Sequence, residues 1–243
     1  TENPLFLKTV LAELRIMGVH EELDKRIAYY LSAKNIESLY EKMLERMESD
    51  FDRSRKYLVR DCLFYLWCSR RGLSESELLD LLGTTGKSLP RAYLSPFLLA
   101  LEHLLLNTSG IITFAHDRLR IAVMNRYAQS GAFIEDYRRN LCSYFREKEE
   151  LDRSVDEIPY QLSRMRNWTQ MHSYIRQIPV FEKAFAKDKL ELLSNWFLLG
   201  DFYNMDESYR VALQSWEGAE DNADLPTSKI IQVITDLGSF LCF

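Results

Sequence analysis

The sequence predicts a mostly helical protein, and three observations lead to this prediction. Glycine and proline are scarce, with 9 and 6 residues among 243, below their usual shares of about 7% and 5%. Apolar residues recur at three- and four-residue steps along most of the chain, which is the pattern of amphipathic helices. Only Ile111–Phe114 combines β-branched and aromatic residues as a strand does. We therefore expect helices around one short β-hairpin.

Four helices are predicted before residue 70. Pro4 stands in the first turn of the first helix, where its missing N–H is not needed, and Gly18 ends that helix. Asn35 is a favourable N-cap for the third helix, whose apolar residues continue to Phe51. Gly72 is the predicted C-cap of the fourth helix. The predicted ranges are 4–18, 21–31, 36–51 and 53–69.

Residues 53–126 have the order of elements of a winged-helix unit, in which helices joined by a tight turn precede a hairpin and a further helix. Ser74 and Glu77 have the spacing of a capping box. Pro96 is placed to begin the next helix, and His116 stands at the junction between the strand and the last helix. The predicted ranges are a helix over 75–82, a helix over 97–106, a turn over 107–110, a strand over 111–114 and a helix over 117–129.

From residue 134 onward the pattern changes to helical hairpins, and their stacking predicts an α-solenoid. Residues 217–226 are acidic and rich in turn formers, which indicates a linker. The final helix has a continuous apolar face, and we expect its partner helix to lie outside this chain. The predicted helices cover 134–145, a segment beginning at 158, 168–178, 180–199 as one or two helices, 203–216 and 228–243.

Charge, hydropathy and cysteine spacing exclude several classes of protein. A net charge of −5 and a pI near 5.5 argue against a dedicated nucleic-acid binder, which usually has a basic surface. The most apolar stretch, 92–116, contains Glu102 and is broken by Pro96 and Gly110, so we expect no membrane-spanning helix. The four cysteines fit neither a zinc site nor a disulfide framework. This spacing indicates reduced, mostly buried thiols in a cytosolic protein.

No group of residues predicts catalysis or a metal site. The run 83–88 (GTTGKS) is similar to a phosphate-binding loop, but Leu81 stands where the first glycine is needed, and Pro90 interrupts the region where a helix must follow. A helix end and a turn explain its glycines better. His116, considered alone, is a capping or core histidine. We expect a protein that is not an enzyme. An enzyme that acts through the loop 83–88 is one of two alternative hypotheses, and the other is described next.

The second hypothesis is a winged-helix nucleic-acid-binding module with an attached helical domain. It predicts DNA binding that weakens with salt, through basic residues around the winged-helix unit. The segment that would enter the groove, 95–106, is apolar and carries Glu102, which predicts a core element instead. The basic residues are Arg53, Arg55, Lys56, Arg60, Arg70, Arg71, Lys87 and Arg91.

Five short runs carry a resemblance to a known family. They are 3–9 (NPLFLKT), 69–78 (SRRGLSESEL), 114–120 (FAHDRLR), 157–162 (EIPYQL) and 187–196 (KDKLELLSNW). The first three resemble the region after the nucleotide-binding core in STAND signal-transduction NTPases of the NACHT/NB-ARC kind. The last two resemble the helical region of nephrocystin-like members, in which tetratricopeptide (TPR) repeats follow.

The resemblance implies that this chain is an interior segment of a longer polypeptide, and the apolar runs at both its ends lead to the same expectation. The NTPase core with its Walker motifs would precede Thr1, so this segment alone would bind no cofactor, whereas the parent protein would bind ATP or ADP. In the family, the motif proline packs against adenine, which carries over to Pro4. The winged-helix histidine contacts the β-phosphate of ADP and holds the closed state, which carries over to His116.

The resemblance also implies a division of the chain and a role for it. The expected parts are a helical domain over 1–50, a winged-helix domain over 51–130, a helical-hairpin solenoid over 131–218, and a linker with the first helix of a TPR array over 219–243. The segment would be a regulatory scaffold that couples nucleotide state to a protein-binding repeat array. Its partners would be the upstream NTPase domain and the downstream repeats, in a protein able to form oligomers. The expected location is the cytoplasm, with the cilium suggested by the nephrocystin-like resemblance alone.

Overall fold

The protein is mostly helical, as the composition predicts, with one small β-sheet. The computed structural model describes residues 4–15, 23–53, 55–84, 86–148, 151–219, 222 and 225–242. The chain divides into two compact units, Thr1–Tyr137 (unit 1) and Arg138–Phe243 (unit 2). The boundary between the units falls within a helix that extends over Gly131–Glu147.

Unit 1 is built around three helices that pack against one another, α3 (Ile36–Phe51), α4 (Leu58–Cys68) and α7 (Asp117–Tyr127). Met43 and Met47 of α3, Phe64 of α4 and Val123 of α7 are almost completely buried. The helices are α1 (Pro4–Arg15), α2 (Leu23–Leu31), α3 (Ile36–Phe51), α4 (Leu58–Cys68), α5 (Glu75–Leu81), α6 (Arg91–Ala100) and α7 (Asp117–Tyr127).

Capping side chains begin α3 and α5 at the predicted residues. The Asn35 side chain accepts a hydrogen bond from the Ser38 N–H at 2.8 Å, and the Ser38 hydroxyl in turn accepts one from the Asn35 N–H. Ser74 and Glu77 form the equivalent reciprocal pair at α5. Each pair satisfies backbone donors that a helix start leaves open. Both predicted starts are therefore confirmed.

Unit 1 also contains a three-stranded antiparallel sheet, more strand than the sequence predicted. The strands are β1 (Leu73–Ser74), β2 (Leu105–Thr108) and β3 (Ile111–Phe114), in the order β1-β3-β2. Ser109 and Gly110 connect β2 to β3 with φ values of 52° and 85°, a left-handed pair that matches the twist of a two-residue hairpin. Gly72 has φ +88°, and a Cβ there would lie 2.2 Å from the Ile112 carbonyl oxygen. Glycine at this position is what allows β1 to approach β3.

The structure corrects several predicted boundaries in unit 1. The fourth helix begins at Leu58 instead of residue 53, because Tyr57 adopts a left-handed conformation with φ 66°. It ends at Cys68, so Gly72 is not its C-cap. The apolar helix begins at Arg91 and ends at Ala100 with Pro96 inside it, and part of the predicted helix 97–106 is strand β2. The predicted helix end at Gly18 and the start at residue 21 lie outside the described residues.

Unit 2 consists of helices that pack mainly against their neighbours in the chain, as expected for a helical solenoid. Its centre is an aromatic cluster in which Tyr209 contacts Phe181, Trp196 and Phe240. The Trp196 indole N–H donates to the Tyr209 hydroxyl at 3.0 Å. The helices are the end of α8 (Gly131–Glu147), α9 (Leu151–Arg164), α10 (Trp168–Ile175), α11 (Ile178–Leu199), α12 (Met205–Glu217) and α13 (Thr227–Leu241).

The boundaries in unit 2 also differ from the predictions at particular residues. Helix α9 begins at Leu151 rather than at residue 158, and Pro159 lies inside it. Helix α11 is two helical segments that meet at Asp188, where the backbone is extended. The Asp188 carboxylate accepts hydrogen bonds at 3.0 Å from the N–H groups of Leu190 and Glu191, so it caps the second segment.

The final helix, α13, has a partner within the chain, which corrects the expectation that its partner lies outside. Its buried residues Val233, Leu237 and Phe240 face α11 and α12. Ile231 and Ile234 on the same helix remain exposed.

Two further expectations concern the whole described chain. None of the helices in the described ranges combines the length and apolar character needed to cross a bilayer. Cys62, Cys68 and Cys142 are buried free thiols, and Cys242 is exposed, which confirms the expectation of mostly buried thiols.

Candidate functional site

Pro4, the first residue predicted to contact nucleotide, lies at the start of α1. The buried face of α1 carries Phe6, Thr9, Val10 and Glu13 and packs against α2 and α3. Pro4 itself is exposed. The proline therefore begins a helix that is held to unit 1 by its other residues, and its ring is available at the surface.

His116, the second predicted residue, is the N-cap residue of α7. Its backbone is extended, its side chain makes no capping hydrogen bond, and the residue is exposed. The preceding residue is held in place, because the Ala115 N–H donates to the Leu104 carbonyl at 2.9 Å. The imidazole thus stands on a well-supported backbone at the positive end of a helix dipole.

Ion pairs show that α7 runs parallel to α3. Arg118, at the start of α7, contacts Glu37 at the start of α3 at 2.6 Å. Arg126, near the end of α7, contacts Glu41 at 3.0 Å and Glu48 at 2.6 Å. Arg118 and Arg126 are about 12 Å apart along the helix axis at 1.5 Å per residue, and their partners advance along α3 in the same direction. His116 therefore lies at the end of unit 1 where α3 begins.

Helix α1 also runs parallel to α3. The Arg46 Nε–H donates to the Glu13 carboxylate at 2.9 Å. Thr9, one turn earlier, lies near the buried Tyr40. Pro4 precedes Thr9 by about 7.5 Å of helix, and Tyr40 follows the start of α3 by about 6 Å. Pro4 therefore also lies at the end of unit 1 where α3 begins.

The structure thus brings Pro4 and His116 to the same end of unit 1, although no hydrogen bond joins them among the described residues. The N-termini of α1, α3 and α7 lie at this end, and each helix start carries a partial positive charge of about half a unit. These partial charges attract anions, whereas Glu37 and Asp117 in the first turns of α3 and α7 oppose this attraction. Groups of three or more potential metal ligands are absent from the described part of the chain.

A buried polar cluster, which the sequence did not reveal, joins this group of helices to the segment after α6. Glu13 is 2% exposed, and one of its carboxylate oxygens accepts hydrogen bonds from Arg46 and, at 3.0 Å, from the Tyr30 hydroxyl. Its other oxygen lies 3.7 Å from the His103 Nε2. Burial and the nearby Glu13 raise the pKa of Tyr30 to about 12, and burial lowers that of His103. The only signal in the sequence was an acidic residue on the apolar face of the first helix.

The loop 83–88 does not have the geometry of a phosphate cradle. The N–H groups of Thr84 and Lys87 donate to each other's carbonyl groups at 3.0 and 2.8 Å. The Ser88 hydroxyl donates to Asp80, and no helix follows the loop before Arg91. The backbone N–H groups of Thr84 and Lys87 are thus used within the turn, in agreement with the helix end and turn predicted for these glycines.

The exposed face of α6 is poorly suited to DNA. It carries Tyr93, Ser95, Pro96 and Leu99, and its basic residue Arg91 lies 3.6 Å from the Glu75 carboxylate. A helix that enters a groove needs several donors and positive charges for phosphates and base edges. The side that faces the core carries Leu94 and Phe97.

Comparison with known proteins identifies relatives that are much longer than this chain. A TPR repeat-containing protein of Dictyostelium discoideum is 34% identical over 201 residues, which cover 82% of this chain and 12% of that protein. Nephrocystin-3 of Xenopus laevis is 26% identical over 250 residues, 99% of this chain and 19% of that protein. Nephrocystin-3 of Xenopus tropicalis is 26% identical over 260 residues, 99% of this chain and 20% of that protein.

The chain therefore spans between 12% and 20% of the length of these curated relatives. The similarities establish a relationship to nephrocystin-3 and to a TPR repeat-containing protein. No protein-family model matches the chain, and no solved structure is significantly similar to it.

Proposed function

We propose that this chain is a non-catalytic regulatory and scaffolding segment of a multidomain signal-transduction NTPase. The names of its relatives supply the first support, since one is described by its TPR repeats and the others are nephrocystin-3. Repeats of this kind form extended surfaces for binding other proteins. In this proposal the chain couples the nucleotide state of an upstream NTPase domain to a downstream repeat array.

The proposed division of the chain is the one that the resemblance implies. We assign 1–50 to a helical domain, 51–130 to a winged-helix domain, 131–218 to a solenoid and 219–243 to a linker with the first repeat helix. The succession α4-β1-α5-α6-β2-β3-α7, with β2 and β3 as a hairpin, supports a winged helix in the second part.

The observation that carries the proposal is the common location of Pro4 and His116. Parallel packing of α1, α3 and α7 brings both residues to one end of unit 1, exposed and beside three helix starts. In the proposal, a nucleotide that a neighbouring domain holds contacts this end, with the proline against the base and the imidazole against a phosphate. We assign the ATP or ADP to that domain, because the described residues at this end form no phosphate-binding loop.

Such an arrangement would act as a switch. A histidine on one rigid body that contacts a phosphate on another makes their packing depend on which nucleotide is bound. A charge-assisted hydrogen bond of this type contributes about 1.5–3 kcal/mol. One contact of that strength changes the ratio of closed to open states by about ten- to a hundredfold.

Calorimetric titration with ADP tests the proposal. It compares the 243-residue chain with a longer form of the protein that includes the NTPase domain. We expect binding only by the longer form, and at least tenfold weaker binding after His116→Ala. Asn125→Ala is the matched control, because Asn125 is also exposed on α7 but lies at the opposite end of the helix. Equal affinity of the two variants would contradict the role of His116.

Binding of ADP by the 243-residue chain alone is the second informative outcome. If that binding were lost in Lys87→Ala, the loop 83–88 would be the nucleotide site, and the proposed division of the chain would be wrong.

The proposed location is the cytoplasm, with the cilium as an alternative that rests on the name of the relatives alone. The proposed partners are the upstream NTPase domain, the downstream repeats and the proteins that those repeats bind, in a parent protein able to oligomerise. Nucleic acid is not among them, because the chain is acidic and α6 exposes few positive charges.

A further inference from the structure

The second segment of α11, which follows the extended backbone at Asp188, is apolar on two sides. One side is buried in unit 2 and carries Leu192, Trp196 and Leu199. The other side is exposed and carries Leu190, Phe197 and Leu198. A helix that is hydrophobic all round is normally buried. We therefore expect the exposed side of this segment to be covered by a partner.

The exposed side is one continuous surface that extends past the end of the helix. Leu190 and Phe197 are two helical turns apart, and the exposed Ser194 lies between them. Phe202 follows in a short 3-10 turn over Gly200–Phe202 and is 92% exposed. We call this surface the α11 outer face, and it consists of Leu190, Ser194, Phe197, Leu198 and Phe202.

The area of the α11 outer face reaches what a stable interface between two proteins needs. Its four apolar residues are between 52% and 92% exposed, and at about 200 Å² for a fully exposed side chain they present roughly 550 Å². Apolar patches of this size on soluble proteins often mark sites of interaction. Two such faces in contact would remove roughly 1,100 Å² from water, above the limit of about 1,000 Å² expected of a specific interface.

The shape and chemistry of the α11 outer face match a second copy of the same face. It is apolar apart from one serine hydroxyl, so a partner surface must itself be apolar. A two-fold axis beside Ser194 would pair the two helices antiparallel, and the small serine side chain would let them approach closely. Leu190 of one copy would then lie against Phe197 and Leu198 of the other, since Leu190 and Leu198 are equally far from Ser194 along the chain. Antiparallel pairing also places the two helix dipoles in opposite directions.

We propose that the α11 outer face is the interface of a homodimer, in which the second segments of α11 from two copies pair antiparallel about Ser194. The proposed function leaves open which surface joins copies of the parent protein. The dimer forms through unit 2 and needs no nucleotide, whereas Pro4 and His116 belong to unit 1. Failure of one proposal therefore leaves the other intact.

Sedimentation equilibrium of the 243-residue chain tests the proposal, at concentrations from about 1 to about 200 μM, where small interfaces dissociate. We expect a monomer–dimer equilibrium. Phe197→Ser and Leu190→Ser should each raise the dissociation constant at least about tenfold. Leu99→Ser is the matched control, because Leu99 on α6 is 68% exposed and Leu190 is 65% exposed. It should leave the dissociation constant unchanged. All three residues are exposed, so the circular dichroism spectra of the variants should equal that of the parent chain.

A disulfide cross-link tests the antiparallel arrangement. Cys242→Ser first removes the exposed thiol. In that background, Ser194→Cys should form a disulfide-linked dimer on mild oxidation, because the axis brings the two Cα atoms to about 5.5–6 Å, the usual separation across a disulfide. Ser215→Cys, at an exposed position on α12 outside the outer face, should not.

Three results would overturn the proposal. They are a chain that stays monomeric at the highest concentration, equal effects of Leu190→Ser and Leu99→Ser, and a dimer that Ser194→Cys does not cross-link. If the chain were monomeric and residues 190–202 exchanged their amide hydrogens more slowly in the longer form of the protein, the outer face would be assigned to another part of that protein instead.

Discussion

Glu13→Gln tests how strongly the buried polar cluster stabilises unit 1. Glu13 accepts hydrogen bonds from Arg46 at 2.9 Å and from Tyr30 at 3.0 Å, and it is almost completely buried. Glutamine has nearly the same size and keeps one oxygen acceptor. The substitution therefore removes the negative charge without creating a cavity.

The expected loss can be worked from these contacts. A hydrogen bond to a charged group contributes about 1.5–3 kcal/mol and a neutral one about 0.5–1.5 kcal/mol, so two bonds lose about 2 kcal/mol together. Removal of one partner of a buried ion pair costs about 3–5 kcal/mol when the other charge is left alone. Here Arg46 keeps Asp50 as a partner at 2.7 Å. We therefore expect a total loss of about 2–3 kcal/mol in the free energy of unfolding.

Urea unfolding at neutral pH, followed by far-UV circular dichroism, measures this loss. With a slope of about 2–3 kcal/mol per molar urea, the midpoint should fall by about 1 M. Asp50→Asn is the matched control, since Asp50 contacts the same arginine but its side chain is 41% exposed, and it should cost less than about 1 kcal/mol. If Glu13→Gln cost no more than Asp50→Asn, the reasoning from burial would be refuted.

Three further predictions use the same kind of measurement. Gly72→Ala should lower the free energy of unfolding by about 3 kcal/mol or more, because its Cβ would overlap a carbonyl oxygen of β3. Gly110 has a similar φ but open space around it, so Gly110→Ala should lower the same free energy by only about 1 kcal/mol. Equal losses would contradict the steric argument. Burial opposes ionisation of Glu48, but hydrogen bonds from the arginine and tyrosine of α7 outweigh it and lower the Glu48 pKa below its ordinary 4.5. Its contribution to stability is therefore present above pH 4.5 and lost as the pH falls through the lower, folded-state pKa; an acid titration of unfolding should show this loss in the parent chain and less of it in Glu48→Gln. Phe240→Ala should lower the free energy of unfolding by about 3–5 kcal/mol, whereas substitution of the exposed Ile231 by Ala should lower it by less than about 0.5 kcal/mol. Comparable shifts of the unfolding temperature in the two variants would mean that α13 does not pack on α11 and α12.

The helices were predictable where local chemistry decides them. Asn35 and Ser74 begin α3 and α5 because each side chain satisfies backbone N–H groups within its own turn. The apolar residues of α3 recur at helical spacing, and those residues are the ones buried in the structure. In both cases the determining contacts lie within a few residues along the chain, so the sequence is sufficient to predict them.

The errors arose where contacts outside a single helical turn decide. Leu105–Thr108 is apolar enough at its start to continue a helix, but it pairs with β3 in the register Leu105 to Phe114. Gly72 looks like a helix end, whereas its real role is the close approach of β1 to β3. Pro159 suggests a helix start, because proline is common in the first turn of helices. The helix in fact begins two turns earlier, at Leu151.

The candidate site was also predictable only in part. Pro4 and His116 could be singled out from short runs of residues, and His116 could be placed at the start of a helix. Their common location depends on Arg118 contacting Glu37 and on Arg46 contacting Glu13, which are pairs far apart in the chain.

The sequence by itself determined the helical class of this protein, the N-caps of α3 and α5 and the residues to examine. Only the tertiary structure decided the third strand of the sheet, the buried polar cluster and the partner of α13. The physical reason is the distance along the chain over which each interaction acts. Capping and periodicity act within one or two turns of the chain, whereas strand pairing and burial of charge depend on residues that only folding brings together.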